Sequence, residues 1–271
     1  MEQRGRLEKA LTECLRRARE AILNGLKKPN ANKVLAIRMG DKTKLIDKEA
    51  EDVIINSLRK YFDNFTVLSE ELGRATFGNG RGPIFIIDPL DGSTNALRGY
   101  PIFSVSIAVS EGNSFSKIYS GAVMNVVTGD VFLAFKGRGV LYNNKKVKPN
   151  DIRRISNALV GVDLNIRSRI PNYLKKLERV IESARHVRSL GTNALETCFV
   201  SAGICDAFIE LRGILRLTDF AAACFIVKEA GGVVLDERGA PFDLDFYENV
   251  RGKYIAACTK DLAMDILINL K

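Results

Sequence analysis

Apolar residues recur at three- and four-residue intervals from Leu7 through Leu11, Cys14, Leu15 and Ala18 to Ile22. That is the period of a helix with one buried face, and it ends near Asn24-Gly25. A polar stretch from Lys27 to Lys33 precedes a short apolar run, Val34 to Ile37. Met39-Gly40-Asp41-Lys42-Thr43 then reads as a loop leading into a second helix over about Asp47 to Tyr61. Strand-type runs follow at Thr66 to Leu68, Ile84 to Ile87, Phe103 to Val109, Ile118 to Asn125 and Val131 to Phe135, separated by Gly, Asn and Ser clusters. After about Arg154 the pattern alternates. Strands are expected at Ala158 to Val162, Ala207 to Leu211, Val233 to Asp236 and Tyr254 to Ala257, and helices at Pro171 to Ala184, Asn193 to Gly203, Asp219 to Ala230 and Asp261 to Leu270. The expected fold class is α+β, with an N-terminal subdomain over 1–154 and a C-terminal α/β subdomain over 155–271 packed around one cleft.

Composition narrows the function classes. A chain of 271 residues with 46% hydrophobic side chains can bury a substantial core, and no apolar run approaches the roughly 20 residues that cross a bilayer. No membrane partner is expected. The N-terminus opens Met1-Glu2-Gln3-Arg4 and runs into a charged amphipathic pattern without a signal-peptide h-region, which predicts cytoplasmic residence. Five cysteines without a C-x-x-C pair and a single histidine, His186, make a Cys/His zinc site improbable. The net charge of +9 could mark a nucleic-acid surface, but it is spread along the chain instead of forming one basic block, and attraction of a small polyanion explains it equally well.

The candidate chemistry lies in carboxylates at the ends of predicted elements. In Ile84-Phe85-Ile86-Ile87-Asp88-Pro89-Leu90-Asp91-Gly92-Ser93-Thr94-Asn95, four apolar residues deliver two aspartates to the place where the strand must end. Pro89 cannot donate to a sheet ladder and Gly92 permits backbone geometry closed to other residues, so the turn is rigid. It can aim Asp88, Asp91 and the Leu90 carbonyl toward one hard cation. Ser93 and Thr94 open a helical turn whose backbone N–H groups suit a phosphate. Glu70-Glu71 ends another predicted strand, and Asp219 begins a strongly apolar helix. Carboxylates in this number, with almost no histidine and no nucleophilic cysteine motif, favour oxygen-ligated magnesium over zinc or covalent catalysis.

Glu70-Glu71, then Asp88-Pro89-Leu90-Asp91-Gly92-Ser93-Thr94-Asn95, then Asp219 before Ala221-Ala222 resemble the motifs of the inositol monophosphatase family of lithium-sensitive phosphatases. Leu45-Ile46-Asp47 and Glu229-Ala230-Gly231-Gly232 extend the resemblance over nearly the whole chain, and the short archaeal-type members, often also fructose-1,6-bisphosphatases, look most similar. The resemblance implies a layered αβαβα sugar-phosphatase fold, commonly a homodimer. It implies two to three Mg2+ ions, with Mn2+ an expected substitute. Glu70, Asp88 and the Leu90 carbonyl would hold the first, Asp88, Asp91 and Asp219 the second, and Glu70 would help hold a third. Asp47 and Ser93 would polarise the attacking water, and Gly92 and Ser93 N–H groups would hold the phosphate. The Met39 to Thr43 loop would be a mobile flap.

On the sugar side, Gly191-Thr192-Asn193 resembles the family's Gly-Thr-Ala turn, with Asn193 departing from the small residue usual there. Thr218, before Asp219, likewise departs from the Trp of many members. Glu210 falls where an acidic residue accepts hydrogen bonds from substrate hydroxyls. Arg212, Arg167 and Arg169 are candidates for a second phosphate. The expected activity is hydrolysis of inositol 1-phosphate, then fructose 1,6-bisphosphate, with NADP or 3′-phosphoadenosine 5′-phosphate behind them. The competing class is a non-catalytic binder of phosphorylated ligands or nucleic acid, for which Asp47 and Ser93 would have no purpose.

Overall fold

Apolar surface that must be covered on both sides forces a layered arrangement, and the layers largely follow chain order. The computed structural model describes residues 2–38, 41–166, 170–246 and 250–270. Helices α1 (Glu2–Gly25) and α2 (Leu45–Leu58), joined through the hairpin β1 (Val34–Arg38) and β2 (Asp41–Lys44), pack on each other and on one face of an eight-stranded sheet. The sheet comprises β3 (Phe65–Ser69), β4 (Gly73–Phe77), β5 (Ile84–Asp91), β6 (Ser104–Ser110), β7 (Ile118–Asn125), β8 (Val131–Phe135), β9 (Val140–Tyr142) and β10 (Lys145–Val147). Its order is β10-β9-β8-β7-β6-β5-β3-β4, antiparallel except where β3 lies parallel to β5. The short helix α3 (Ser93–Arg98) links β5 to β6.

A second sheet has the order β12-β11-β13-β15-β14, built from β11 (Leu159–Val162), β12 (His186–Arg188), β13 (Ala207–Arg216), β14 (Val233–Leu235) and β15 (Arg251–Ala257). Helices α5 (Asn193–Ser201) and α6 (Leu217–Glu229) lie between the two sheets and touch both. Helix α7 (Lys260–Asn269), with α4 (Tyr173–Ser183) beside it, covers the outer face. The result is the five-layer αβαβα arrangement, an α+β fold.

Alternation explains why β5 reads as one continuous apolar run. Phe85 and Ile87 join the core under α1 and α2, while Ile84 and Ile86 join the core shared with α5, α6 and the second sheet. A strand covered on both faces has no polar side to show. The central helix layer is held close: a Cβ on Gly121 of β7 would come within 3.0 Å of the Ala222 carbonyl and 3.2 Å of Phe225 on α6.

Several elements depart from the sequence reading. The segment expected as a loop from Met39 to Thr43 contributes Asp41–Lys44 as β2, paired antiparallel with β1; Met39 and Gly40 lie outside the described residues. Strands β4, β9, β10 and β12 were not expected. They are three to five residues long, too short to show a strand period of their own, and a paired neighbour makes them strands. Strand β13 runs five residues beyond Leu211, through a register shift between Glu210 and Leu215. No helix among the described residues is long and apolar enough to cross a membrane.

Replacing Gly121 by Val should lower stability by about 1–3 kcal/mol through overpacking of α6 on β7. Chemical denaturation of the two proteins would show it as a shifted midpoint at constant slope.

Candidate active site

The parallel pairing of β3 with β5 places the ends of two strands side by side. Ser69 is in register with Ile87, so the next residues, Glu70 and Asp88, arrive together at the carboxyl edge of the sheet. Asp88 and Asp91 are three apart, and in a regular strand they would point to opposite faces. The ladder to β6 shifts between them: Asp88 faces Ser106 and Asp91 faces Ser104, so three steps on β5 match two on β6. This bulge, at Pro89 with its missing N–H, returns both carboxylates to one side. The Leu90 N–H donates to Asp88 Oδ1 at 3.0 Å and fixes the turn.

The third carboxylate comes from the layer between the sheets. Helix α6 starts at Leu217, two residues before the start expected at Asp219. Asp219 is therefore its third residue, and its Oδ2 accepts the Arg216 N–H at 2.8 Å. Oxygens of Glu70, Asp88 and Asp219 lie within 4.8 Å of one another. Oxygen donors at this spacing, with no sulfur or imidazole among them, fit a hard divalent cation. Asp91, expected in the same set, turns its carboxylate to the start of α5. It accepts from Ser104 Oγ (3.0 Å), Asn193 N (3.1 Å), Ala194 N (3.0 Å) and, by a short bond, Thr192 Oγ1.

Gly92 follows in the left-handed region (φ 84°), where a Cβ would sit 3.3 Å from the Gly191 carbonyl; Ser93 begins α3. On α2, Asp47 is buried, with Oδ2 accepting the Lys44 N–H at 3.3 Å and Oδ1 without a hydrogen-bond partner among the described residues. Among the described residues Asp47 and Ser93 share no direct hydrogen bond. Lys44 spans them instead, its Nζ 2.9 Å from Ser93 Oγ.

Residues that the sequence reading passed over hold this frame. Glu51, fully buried on α2, accepts from Leu72 N (3.0 Å) and Ser69 Oγ, and so fixes the turn that carries Glu70. Its signal was an acidic residue on the apolar face of Ile46, Ala50 and Ile54. Asn95 donates to the Ile102 and Leu190 carbonyls, and Glu196 Oε2 accepts from Leu190 N and Gly191 N at 3.0 Å, together fixing the Gly191-Thr192 turn. Glu210 and Arg212, expected to face substrate, are engaged with each other. Arg212 donates through Nε and Nη2 to Glu210, pairs through Nη2 with Asp163 at 2.7 Å, and reaches the Asn165 carbonyl through Nη1 at 3.1 Å. Arg167 and Arg169 lie outside the described residues.

A sequence profile described as the inositol monophosphatase family matches residues 4–266. The chain belongs to the inositol monophosphatase family. It is 34% identical over 241 residues to a fructose-1,6-bisphosphatase/inositol-1-monophosphatase of Methanothermobacter thermautotrophicus, covering 86% of this chain and 84% of that one. It is also 34% identical over 238 residues to inositol monophosphatase 1 of Sus scrofa, covering 84% of this chain and 83% of that one. The crystal structure of the extragenic suppressor protein SuhB from Bartonella henselae superposes with a TM-score of 0.83 at 28% identity, covering 97% of this chain and 98% of that chain. Membership of this family makes the chain a phosphatase, and the carboxylates described above are its candidate active site.

Electrostatics set a pH dependence. Burial pushes Asp47 up to about 7. Glu70, Asp88, Asp91 and Asp219 are also raised, first by burial; at Glu70 and Asp219 the neighbouring Arg216 opposes the rise. Acids raised on folding bind more protons in the folded than in the unfolded chain, so metal-free stability should fall as pH rises from about 4 to about 8. Thermal melts in chelator across that range should show a falling midpoint, and saturating Mg2+ should flatten the slope; a midpoint that rises with pH in chelator would contradict this.

Proposed function

We propose that this chain is a magnesium-dependent phosphomonoesterase acting on inositol 1-phosphate first and fructose 1,6-bisphosphate second. The convergence of Glu70 and Asp88, from the adjacent ends of β3 and β5, with Asp219 from the first turn of α6 carries the reading. These three, completed by the Leu90 carbonyl and Asp91, would hold two Mg2+ ions, with a third beside Glu70. Bound there, Mg2+ supplies Lewis-acid neutralisation of phosphate charge and a water of lowered pKa.

The chain's own groups do the rest. Gly92 and Ser93 present backbone N–H groups to the phosphate from the start of α3. Asp47 Oδ1, buried and without a hydrogen-bond partner among the described residues, is the atom suited to draw a proton from water through the Ser93 hydroxyl, and Lys44 fixes that hydroxyl. On the sugar side, Asn193 Oδ1 is another buried acceptor without a partner among the described residues, suited to a substrate hydroxyl. Thr192 and Gly191 shape the turn beside it, and Glu210, held by Arg212, is the candidate acceptor for a further hydroxyl.

The ranking of substrates rests on Arg212. A guanidinium already divided among Glu210, Asp163 and the Asn165 carbonyl has little left for a second phosphate, which favours a polyhydroxy end over a bisphosphate. A cytoplasmic homodimer is the accompanying expectation; the five cysteines, all buried free thiols, fit a reducing compartment.

Phosphate release should be measured with Mg2+ on inositol 1-phosphate, fructose 1,6-bisphosphate, NADP and 3′-phosphoadenosine 5′-phosphate, for wild type and Asp88→Asn. Turnover greatest on inositol 1-phosphate and reduced by at least about 100-fold in the variant is expected. Steep salt-dependent nucleic-acid binding without release from any substrate would instead favour the non-catalytic binder.

A further inference from the structure

Two helices enter this site by the same local device. Lys44-Leu45-Ile46-Asp47 opens α2 and Arg216-Leu217-Thr218-Asp219 opens α6. In each, a basic residue occupies the N-cap and its backbone N–H donates to the aspartate three residues on, at 3.3 Å for Asp47 and 2.8 Å for Asp219.

Both positions run against helix preference. An N-cap side chain usually accepts a hydrogen bond from a free N–H of the first turn, and an ammonium or guanidinium has no acceptor to offer. Positive charge is also disfavoured at the positive end of the helix dipole. What the position does provide is direction: a side chain leaving the first turn points into the cleft where the carboxylates meet. Lys44 Nζ takes Ser93 Oγ, and Arg216 Nη2 lies 2.5 Å from Glu70 Oε1. Arg216 thereby joins two of the three clustered carboxylates, Asp219 through its backbone and Glu70 through its side chain.

We infer that Arg216 is a tethered counter-cation of the carboxylate site, holding Glu70 while no metal is bound and yielding that contact as an ion enters. The inference rests on the reading of Glu70, Asp88 and Asp219 as metal ligands. Three carboxylates crowded within 4.8 Å repel one another when charged, and a fixed positive charge on one of them offsets that repulsion and lets the site stay assembled without an ion. The same charge opposes any cation that takes its place. Arg216 therefore trades metal affinity for integrity of the metal-free enzyme. Both side chains of the pair are partly exposed, 28% and 23%, so solvent moderates the effect.

The test is calorimetric titration of full-length, chelator-treated protein with Mn2+ alone, with a thermal melt of the metal-free form, for wild type, Arg216→Gln and Arg216→Lys. In Arg216→Gln, Mn2+ should bind roughly fivefold or more tightly than in wild type while the metal-free melting temperature falls. Arg216→Lys, which keeps the charge, should stay within about twofold of wild-type affinity; it carries the test alone if the Gln variant does not fold without metal. Unchanged or weaker Mn2+ binding in Arg216→Gln, or a tightening in Arg216→Lys as large as that expected for Gln, would overturn the inference and leave the metal-site reading standing. Wild-type protein that binds no Mn2+ would overturn both.

Discussion

Glu70, Asp88 and Asp219 repel one another, and the surroundings of the cleft answer that repulsion. Two like charges 4 Å apart cost about 4 kcal/mol at an effective dielectric of roughly 20, a large fraction of what holds a domain folded. The fold offsets this in three ways. Proton affinity rises at every clustered carboxylate, led by burial. The N-termini of α2, α5 and α6 converge on the carboxylates, bringing their partial positive charge to Asp47, Asp91 and Asp219. Two cations, Lys44 and Arg216, reach in from helix starts. Divalent ions would complete what these begin, and a phosphate ester, itself anionic, is the ligand whose charge such a balanced site can then accept.

Asp91 joins the two halves of the cleft. Its backbone belongs to the strand that carries Asp88, while its carboxylate caps α5 and takes the Thr192 hydroxyl. The sugar-side turn is pinned again by Asn95 from α3 and by Glu196 from α5. The backbone of the sugar-side turn is thus pinned by several hydrogen bonds, with Asn193 Oδ1 left over among the described residues, whereas the side holding Glu70, Asp88 and Asp219 is short of positive charge. Rigidity where a polyol must be recognised, and unspent negative charge where ions must enter, is the division of labour that a metal-dependent phosphatase requires.

Much of this was legible in the residues. The run before Asp88 marked a strand buried on both faces, and Pro89 and Gly92 marked a turn of fixed geometry. The bulge was not legible, because a three-residue spacing in a regular strand separates the two aspartates; only the pairing with β6 brings them together. Strands such as β4 and β10 escaped because they are polar edge segments ordered by a partner. Lys44 and Arg216 were hidden among the basic residues of a +9 chain, where nothing local separates a cation aimed into a cleft from one in solvent. Arg212 was visible as a basic residue beside Glu210. That it is spent on two buried carboxylates depends on Asp163, far away in sequence.

The most direct test of the central claim is anomalous diffraction from crystals grown or soaked with Mn2+. Peaks bridging the carboxylates of Glu70, Asp88 and Asp219 are predicted, with the Arg216 guanidinium moved off Glu70. Full Mn2+ occupancy at other sites, with those three carboxylates still paired only with protein groups, would contradict the account.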